Sequence, residues 1–202
     1  MKQLHVISNG KLPYERFLSI VESIHPYVSA IHLREKRASD TELDQWIQGM
    51  IHKGIPKQKI IINSRSELAG RYKLGGVHLP AHYGSLQEIK QKYPFLKVGV
   101  SVHQLSEALY YQETGADYLF FGNVYETTCK PGLAGKGLET LSAIITSVSI
   151  PVIAIGGVIP ARVPELFEQG ASGMAVMSGI MEAKDPLEAV KDYQAYHIQK
   201  EV

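Results

Sequence analysis

Short runs of β-branched and aliphatic residues recur along the whole chain, each ending in glycine or polar residues and each followed by a longer segment with helical spacing of its apolar positions. Such alternation marks repeated strand–helix units. Eight runs read as strands: Leu4–Ile7, Ser29–Leu33, Lys59–Ile62, Gly76–Leu79, Lys97–Val100, Tyr118–Phe121, Val152–Ile155 and Met174–Met177. They are nearly continuous in apolar residues rather than strictly alternating, as parallel strands are when helices cover one face and the other packs inward. His32 and His78 interrupt two of them.

The helical pattern is clearest where Leu43, Trp46, Ile47, Met50 and Ile51 place one apolar stripe on a helix face. Val163, Leu166, Phe167 and Gly170 repeat it, with Pro160 just inside the expected helix start and Gly170 just past its end. Weaker versions begin near Pro13, Ser85, His103, Leu138 and Asp185. No composition shift or linker divides the chain, so residues 1–202 read as one α/β domain. Eight such units predict a single-domain (β/α)8 TIM barrel, in which closure leaves no open sheet edge. An open doubly wound sheet is the competing topology. With 202 residues the chain lies near the lower limit of roughly 200 for this barrel, so insertions are few.

Charge narrows the partners. Lys plus Arg number 21 against 20 for Asp plus Glu, so there is no broad positive field for nucleic acid or anionic lipid. The longest apolar stretch, Ile150 to Pro160, is broken by two glycines and falls short of the roughly 20 residues that span a bilayer. The N-terminal MKQLHVISNG lacks the apolar core of a signal peptide, and a single cysteine makes no internal disulfide. A cytoplasmic protein with a small-molecule ligand is the expectation, with neither nucleic acid nor membrane as partner.

In this barrel the active site lies at the C-terminal ends of the strands. Those ends carry Arg34-Glu35-Lys36, Asn63-Ser64-Arg65, Pro80-Ala81-His82, Ser101-Val102-His103, a long segment from Gly122 to Gly132, Gly156-Gly157 and Ser178-Gly179. Glycine lets backbone N–H groups approach an anion, and a following helix start adds a favourable dipole. Gly156, Gly157 and Gly179, on the two loops where such barrels usually hold phosphate, therefore predict a phosphate site, to which Ser178 adds a hydroxyl. A simple tight turn is the other reading of Gly156-Gly157. Arg34 and Lys36, two apart at a strand end, point to one side in extended geometry, either as a clamp for a carboxylate or second phosphate or as a solvated pair around Glu35. Lys130 is a lid residue over ligand or merely exposed. His78 and His103 are ligand-contacting or structural histidines. Cys129, the only thiol, is a candidate proton carrier or nucleophile. No HExxH, CxxC pair or Walker loop occurs, so neither a dedicated metal site nor a cofactor is expected.

Seven segments, HLREK at 32–36, INSR at 62–65, GVHL at 76–79, GVSVH at 99–103, GADYLFFGNVYETTCKPG at 115–132, AIGGV at 154–158 and AVMSGI at 175–180, resemble the thiamin phosphate synthase superfamily nearly end to end. ETTCKPGLAGKG and HLRE look most like its TenI branch, whose activity is thiazole tautomerisation. The resemblance implies that Arg34, Lys36, Asn63, Ser101 and Lys130 match pyrophosphate-holding residues of the synthase. It implies also that Gly157 and Ser178 match those holding the thiazole phosphate, with Thr127 lining the cleft between. A homodimer is the assembly common in that family.

Two departures refine what the resemblance implies. The synthase carries an Asp after the Asn of its third strand motif and a second acidic residue after the fourth strand, which together bind Mg2+. Here those places hold Ser64 and His82-Tyr83-Gly84, without a carboxylate. A hard dication needs charged oxygen ligands, so synthase activity is disfavoured. A cofactor-independent isomerase is expected instead, aromatising a carboxylated dihydrothiazole ethyl phosphate by proton transfer. The second departure is Asn123, where the TenI branch commonly has an acid/base His. Either Asn123 orients substrate while Cys129, His103 or a water moves the proton, or turnover is slow, or the chain is a non-catalytic or regulatory binder of thiazole phosphate.

Overall fold

The computed structural model describes residues 2–129 and 131–198. Eight strands, β1 (Gln3–Ile7), β2 (Ala30–Leu33), β3 (Ile60–Asn63), β4 (Gly76–Leu79), β5 (Lys97–Val102), β6 (Tyr118–Gly122), β7 (Val152–Ile155) and β8 (Gly173–Val176), form a closed barrel in sequence order. All pairs are parallel, and β8 returns to β1 with Gln3 beside Gly173 and Val6 beside Val176. The barrel of the sequence reading is thus present, and the open sheet is not.

Strand alternation divides the apolar residues into two cores. Outward-facing residues such as Leu4, Val6, Ile31, Leu33, Ile60, Ile62, Val77 and Leu79 pack with helix residues in the larger one. Ile7, Tyr118, Phe120, Ile153 and Ala175 form a smaller core inside the barrel. The outer helices are α1 (Tyr14–Ile24), α2 (Asp40–His52), α3 (Ser66–Tyr72), α4 (Leu86–Lys92), α5 (Leu105–Glu113), α6 (Gly137–Ser147), α7 (Val163–Glu168), α8 (Ser178–Met181) and α9 (Pro186–Ile198). Helix α2 starts on a capping box: the Ser39 side chain accepts from the Glu42 amide, and the Glu42 carboxylate accepts from the Ser39 amide. Leu43, Ile47 and Met50 then face inward as their spacing requires.

Three boundaries matter for the site. β2 stops at Leu33, so Arg34 and Lys36 do not lie on an extended strand, and Lys36 falls in a turn. The alternation argument for pairing their side chains therefore fails. β8 ends at Val176, which frees Ser178 to begin α8, a one-turn helix that the hydrophobic pattern is too short to reveal. Pro160 opens a 3-10 turn, Pro160–Arg162, ahead of α7. Among the described residues no helix is long and apolar enough to cross a membrane.

Candidate active site

The strand ends open into one cavity of about 970 Å3. Arg34, Lys36, Asn63, His78, Ser101, His103, Asn123, Thr127, Cys129, Gly156, Gly157, Ser178 and Gly179 all line it. Every candidate from the sequence except Lys130, which lies outside the described residues, is therefore gathered at one mouth. Glu35, Arg65 and Arg162 line it too, although the sequence reading gave them no role.

The glycine turn is built by packing as well as by backbone conformation. Gly156 and Gly157 have φ of 95° and 68°, the left-handed region that glycine enters without steric cost. A Cβ on Gly156 would stand 2.4 Å from the Asn123 Cβ, and one on Gly157 would stand 2.4 Å from the Glu126 carbonyl oxygen. The tight-turn reading is thus correct in itself. The turn also brings backbone to the cavity wall, where Ser178 and Gly179 present the first turn of α8. The first amides of a helix have no partner within it, so this wall is rich in N–H donors. Cys129 reaches across from the loop after β6, its Sγ 3.7 Å from the Ser178 Oγ.

The mouth also carries cations. Arg34 is held at its backbone, where its amide donates to the buried Ser8 Oγ at 2.8 Å. Ser8 was not foreseen, because its part is to fix main chain. Neither Arg34 nor Lys36 forms an ion pair with Glu35 among the described residues, so the solvated-pair reading does not hold. Arg65 pairs with Asp40 at 2.8 Å.

Below the mouth, the barrel interior holds three buried histidines. Gln3 Oε1 accepts from His5 Nε2 at 2.8 Å, which leaves His5 Nδ1 to accept from His32 Nε2 at 2.9 Å. In this tautomer the remaining His32 nitrogen, Nδ1, is a lone pair, and it has no partner. Burial lowers His5 to about 4, helped by the charge of Lys97. His32 falls well below its ordinary value through burial and then its histidine neighbours. His78 falls to about 3, through burial first and then the charges of His5 and Arg34. Its Nδ1 lies 3.3 Å from the Tyr118 hydroxyl and its Nε2 lies 2.9 Å from the Ser101 Oγ. The buried Tyr118 phenol, whose pKa is raised by that burial, donates to Nδ1. His78 Nε2–H then donates to Ser101, whose own O–H is left to point into the cavity. His78 is thus a neutral relay that orients Ser101.

The other proton-transfer candidates separate. Asn123 is buried and its amide donates to the carbonyl of Tyr125 at 3.1 Å and, at 3.4 Å each, to those of Leu133 and Ala134. It anchors the loop after β6. His103 Nδ1 donates to the Gly122 carbonyl at 2.7 Å, and its backbone amide donates to Glu107 Oε2 at 2.6 Å. That tautomer leaves Nε2 as a lone pair.

The Mg2+ position that the family implies does not fit this donor set. Asn63 offers an amide whose Oδ1 is buried without a partner, Ser64 offers a hydroxyl, and positions 64 and 82–84 themselves carry no carboxylate. Among the described residues no group of three His, Cys, Asp or Glu could hold a metal ion.

The fold and the site define the class only so far: a parallel (β/α)8 barrel whose strand ends open into one mouth lined by glycine turns and cations. The family follows from comparison. The profile of the TMP-TENI family, thiamine monophosphate synthase, matches residues 4–180, and the chain belongs to that family. It is 35% identical over 188 residues to the thiamine-phosphate synthase of Methanobrevibacter smithii, covering 91% of this chain and 89% of that one. It is 32% identical over 193 residues to the thiamine-phosphate synthase of Pyrococcus furiosus, covering 94% and 92%. A solved thiamine phosphate pyrophosphorylase from Pyrococcus furiosus superposes with a TM-score of 0.81 at 30% identity, over 96% of this chain and 94% of that one.

These relatives overturn the expected isomerase. They are named as synthases, enzymes of group transfer, and the finer placement in the TenI branch finds no support among them. The sequence argument assigned leaving-group charge to a dication alone. It matched Arg34 and Lys36 to pyrophosphate-holding residues but did not count them, or Arg65 and Arg162, against the loss of that dication, although all four line the same cavity.

Proposed function

We propose that this chain is a transferase of the thiamine-phosphate synthase kind, joining a phosphorylated thiazole to a pyrimidine that carries a diphosphate. The observation that carries the reading is the composition of one mouth: the glycine turn and helix start at Gly157, Ser178 and Gly179 and the cations Arg34 and Lys36 line the same cavity. Its relatives carry the synthase name over nearly their whole length.

In this reading the thiazole monophosphate sits on the glycine wall and the diphosphate at the cations Arg34 and Lys36. The thiazole ring nitrogen supplies the electron pair for a new N–C bond to the pyrimidine methylene. The C–O bond to diphosphate breaks, and its electrons leave with inorganic diphosphate. Arg34 and Lys36 stabilise the charge that develops on the departing oxygens. The Ser101 hydroxyl, aimed by His78, and the side chain of Asn63 add polar contacts on that side. Since no proton needs to leave the ring carbon, Asn123 is not asked for acid/base chemistry.

The test is a condensation assay with purified protein, thiazole phosphate and the pyrimidine diphosphate, with Mg2+ supplied, following thiamine phosphate formation. Product above the protein-free blank is expected, and Arg34→Ala lowers the rate by about 10- to 100-fold, the range for losing a charged hydrogen bond. A rate equal to the blank overturns the reading.

A further inference from the structure

Arg162 stands five residues beyond Gly157 and lines the cavity, half-buried. Its Nη1 donates to the Gly157 carbonyl at 2.7 Å. Its guanidinium lies over the Tyr125 ring, 4.4 Å from the centroid. The nearby carboxylate of Glu165 accepts from the Tyr125 hydroxyl at 2.6 Å, and Arg162 forms no ion pair among the described residues. A guanidinium has five N–H donors in a fixed plane, so the one bond to Gly157 leaves others for a ligand. The cation is therefore pinned in place by a carbonyl and a ring face rather than by a direct ion pair, beside the backbone turn where an anion would rest.

We infer that Arg162 is a specificity-determining residue of the glycine wall, supplying the counter-charge that makes this wall select a phosphate monoester over the corresponding neutral alcohol. The inference rests on the phosphate reading above. It adds to that reading a side chain outside the glycine and serine positions. Backbone N–H groups donate to any hydrogen-bond acceptor, whereas a guanidinium weights the site toward a dianion. Arg162 also braces the Gly157 carbonyl, which fixes the direction of the turn.

Calorimetric titration separates the two roles. The probes are thiazole phosphate and the dephosphorylated thiazole alcohol, against the unaltered chain, Arg162→Gln and Arg162→Lys. In the unaltered chain the phosphate binds and the alcohol binds far more weakly. Arg162→Gln weakens the phosphate by about 10- to 100-fold and leaves the alcohol unchanged, while Arg162→Lys, which keeps the charge, recovers part of the loss. Equal weakening of both probes, or no weakening of the phosphate by Arg162→Gln, overturns the inference and leaves the phosphate site standing. Failure of the unaltered chain to bind the phosphate overturns both.

Discussion

Asn123 shows how one side chain decides between chemistry and architecture. At a strand end facing the mouth, its residue type and position suggest a contact with substrate. Its amide instead gathers three carbonyls from the segment 125–134. Replacing it by alanine would remove the donor that these part-buried bonds share, a loss of about 0.5–1.5 kcal/mol. Urea denaturation of Asn123→Ala should show that loss, and limited proteolysis should show faster cutting within 125–134. An unchanged midpoint with an unchanged cleavage pattern would return Asn123 to the list of substrate contacts. Sequence alone did not make this distinction, because the loop carbonyls that accept from Asn123 have no side-chain signature.

Among the elements, the loops after β6 and β7 behave as one unit. The Cβ that Gly157 lacks would meet the Glu126 carbonyl oxygen at 2.4 Å, and the backbone there has φ 68°. Gly157→Ala would add about 1–2 kcal/mol for the left-handed conformation and would also push the two loops apart. Lower stability in urea should therefore accompany weaker binding of thiazole phosphate, and loss of one without the other would show that the loops are not coupled. All eight strands were readable because each is an almost unbroken apolar run, a pattern that survives errors of a residue or two at its ends. The site was readable for the same reason, since strand ends in a barrel converge on one mouth. What the pattern missed are contacts at turns: Ser8 beneath the Arg34 amide, α8 with its single turn, and Arg162, five residues beyond Gly157 and outside any hydrophobic period. The orientation given to Arg34 and Lys36 failed because it extended strand geometry past Leu33. Positions 64 and 82–84 hold no carboxylate, but too much was drawn from that once the remaining cations of the mouth are counted.

For the molecule as a whole, the interior histidines set the response to acid. His5, His32 and His78 fill positions inside the barrel, and all three are buried. Their pKa values lie below the ordinary 6.5, at about 4 for His5, about 3 for His78 and well below 6.5 for His32. Above pH 6.5 both folded and unfolded chains keep them neutral, so they impose no penalty. As pH falls through 6.5 the unfolded chain takes up protons that the folded chain refuses, and stability declines until the folded-state values are reached. Each such histidine costs about 1.4 kcal/mol per pH unit within that window. The three together approach about 4 kcal/mol per unit between pH 6 and pH 4.5, and His25, also lowered by burial, acts in the same direction. The lowered carboxylates, Glu42, Glu67 and Glu182, start from 4.5 and so act only at more acid pH. Urea unfolding at pH 7.5, 6.5, 5.5 and 5.0 should therefore give a flat limb above 6.5 and a steep fall beneath it. His78→Asn, which removes the titrating ring but keeps hydrogen-bonding groups, should make the fall shallower by about one proton. A decline that begins only near pH 4.5 would mean that the barrel interior admits charge, and the neutral relay from Tyr118 through His78 to Ser101 would fall with it.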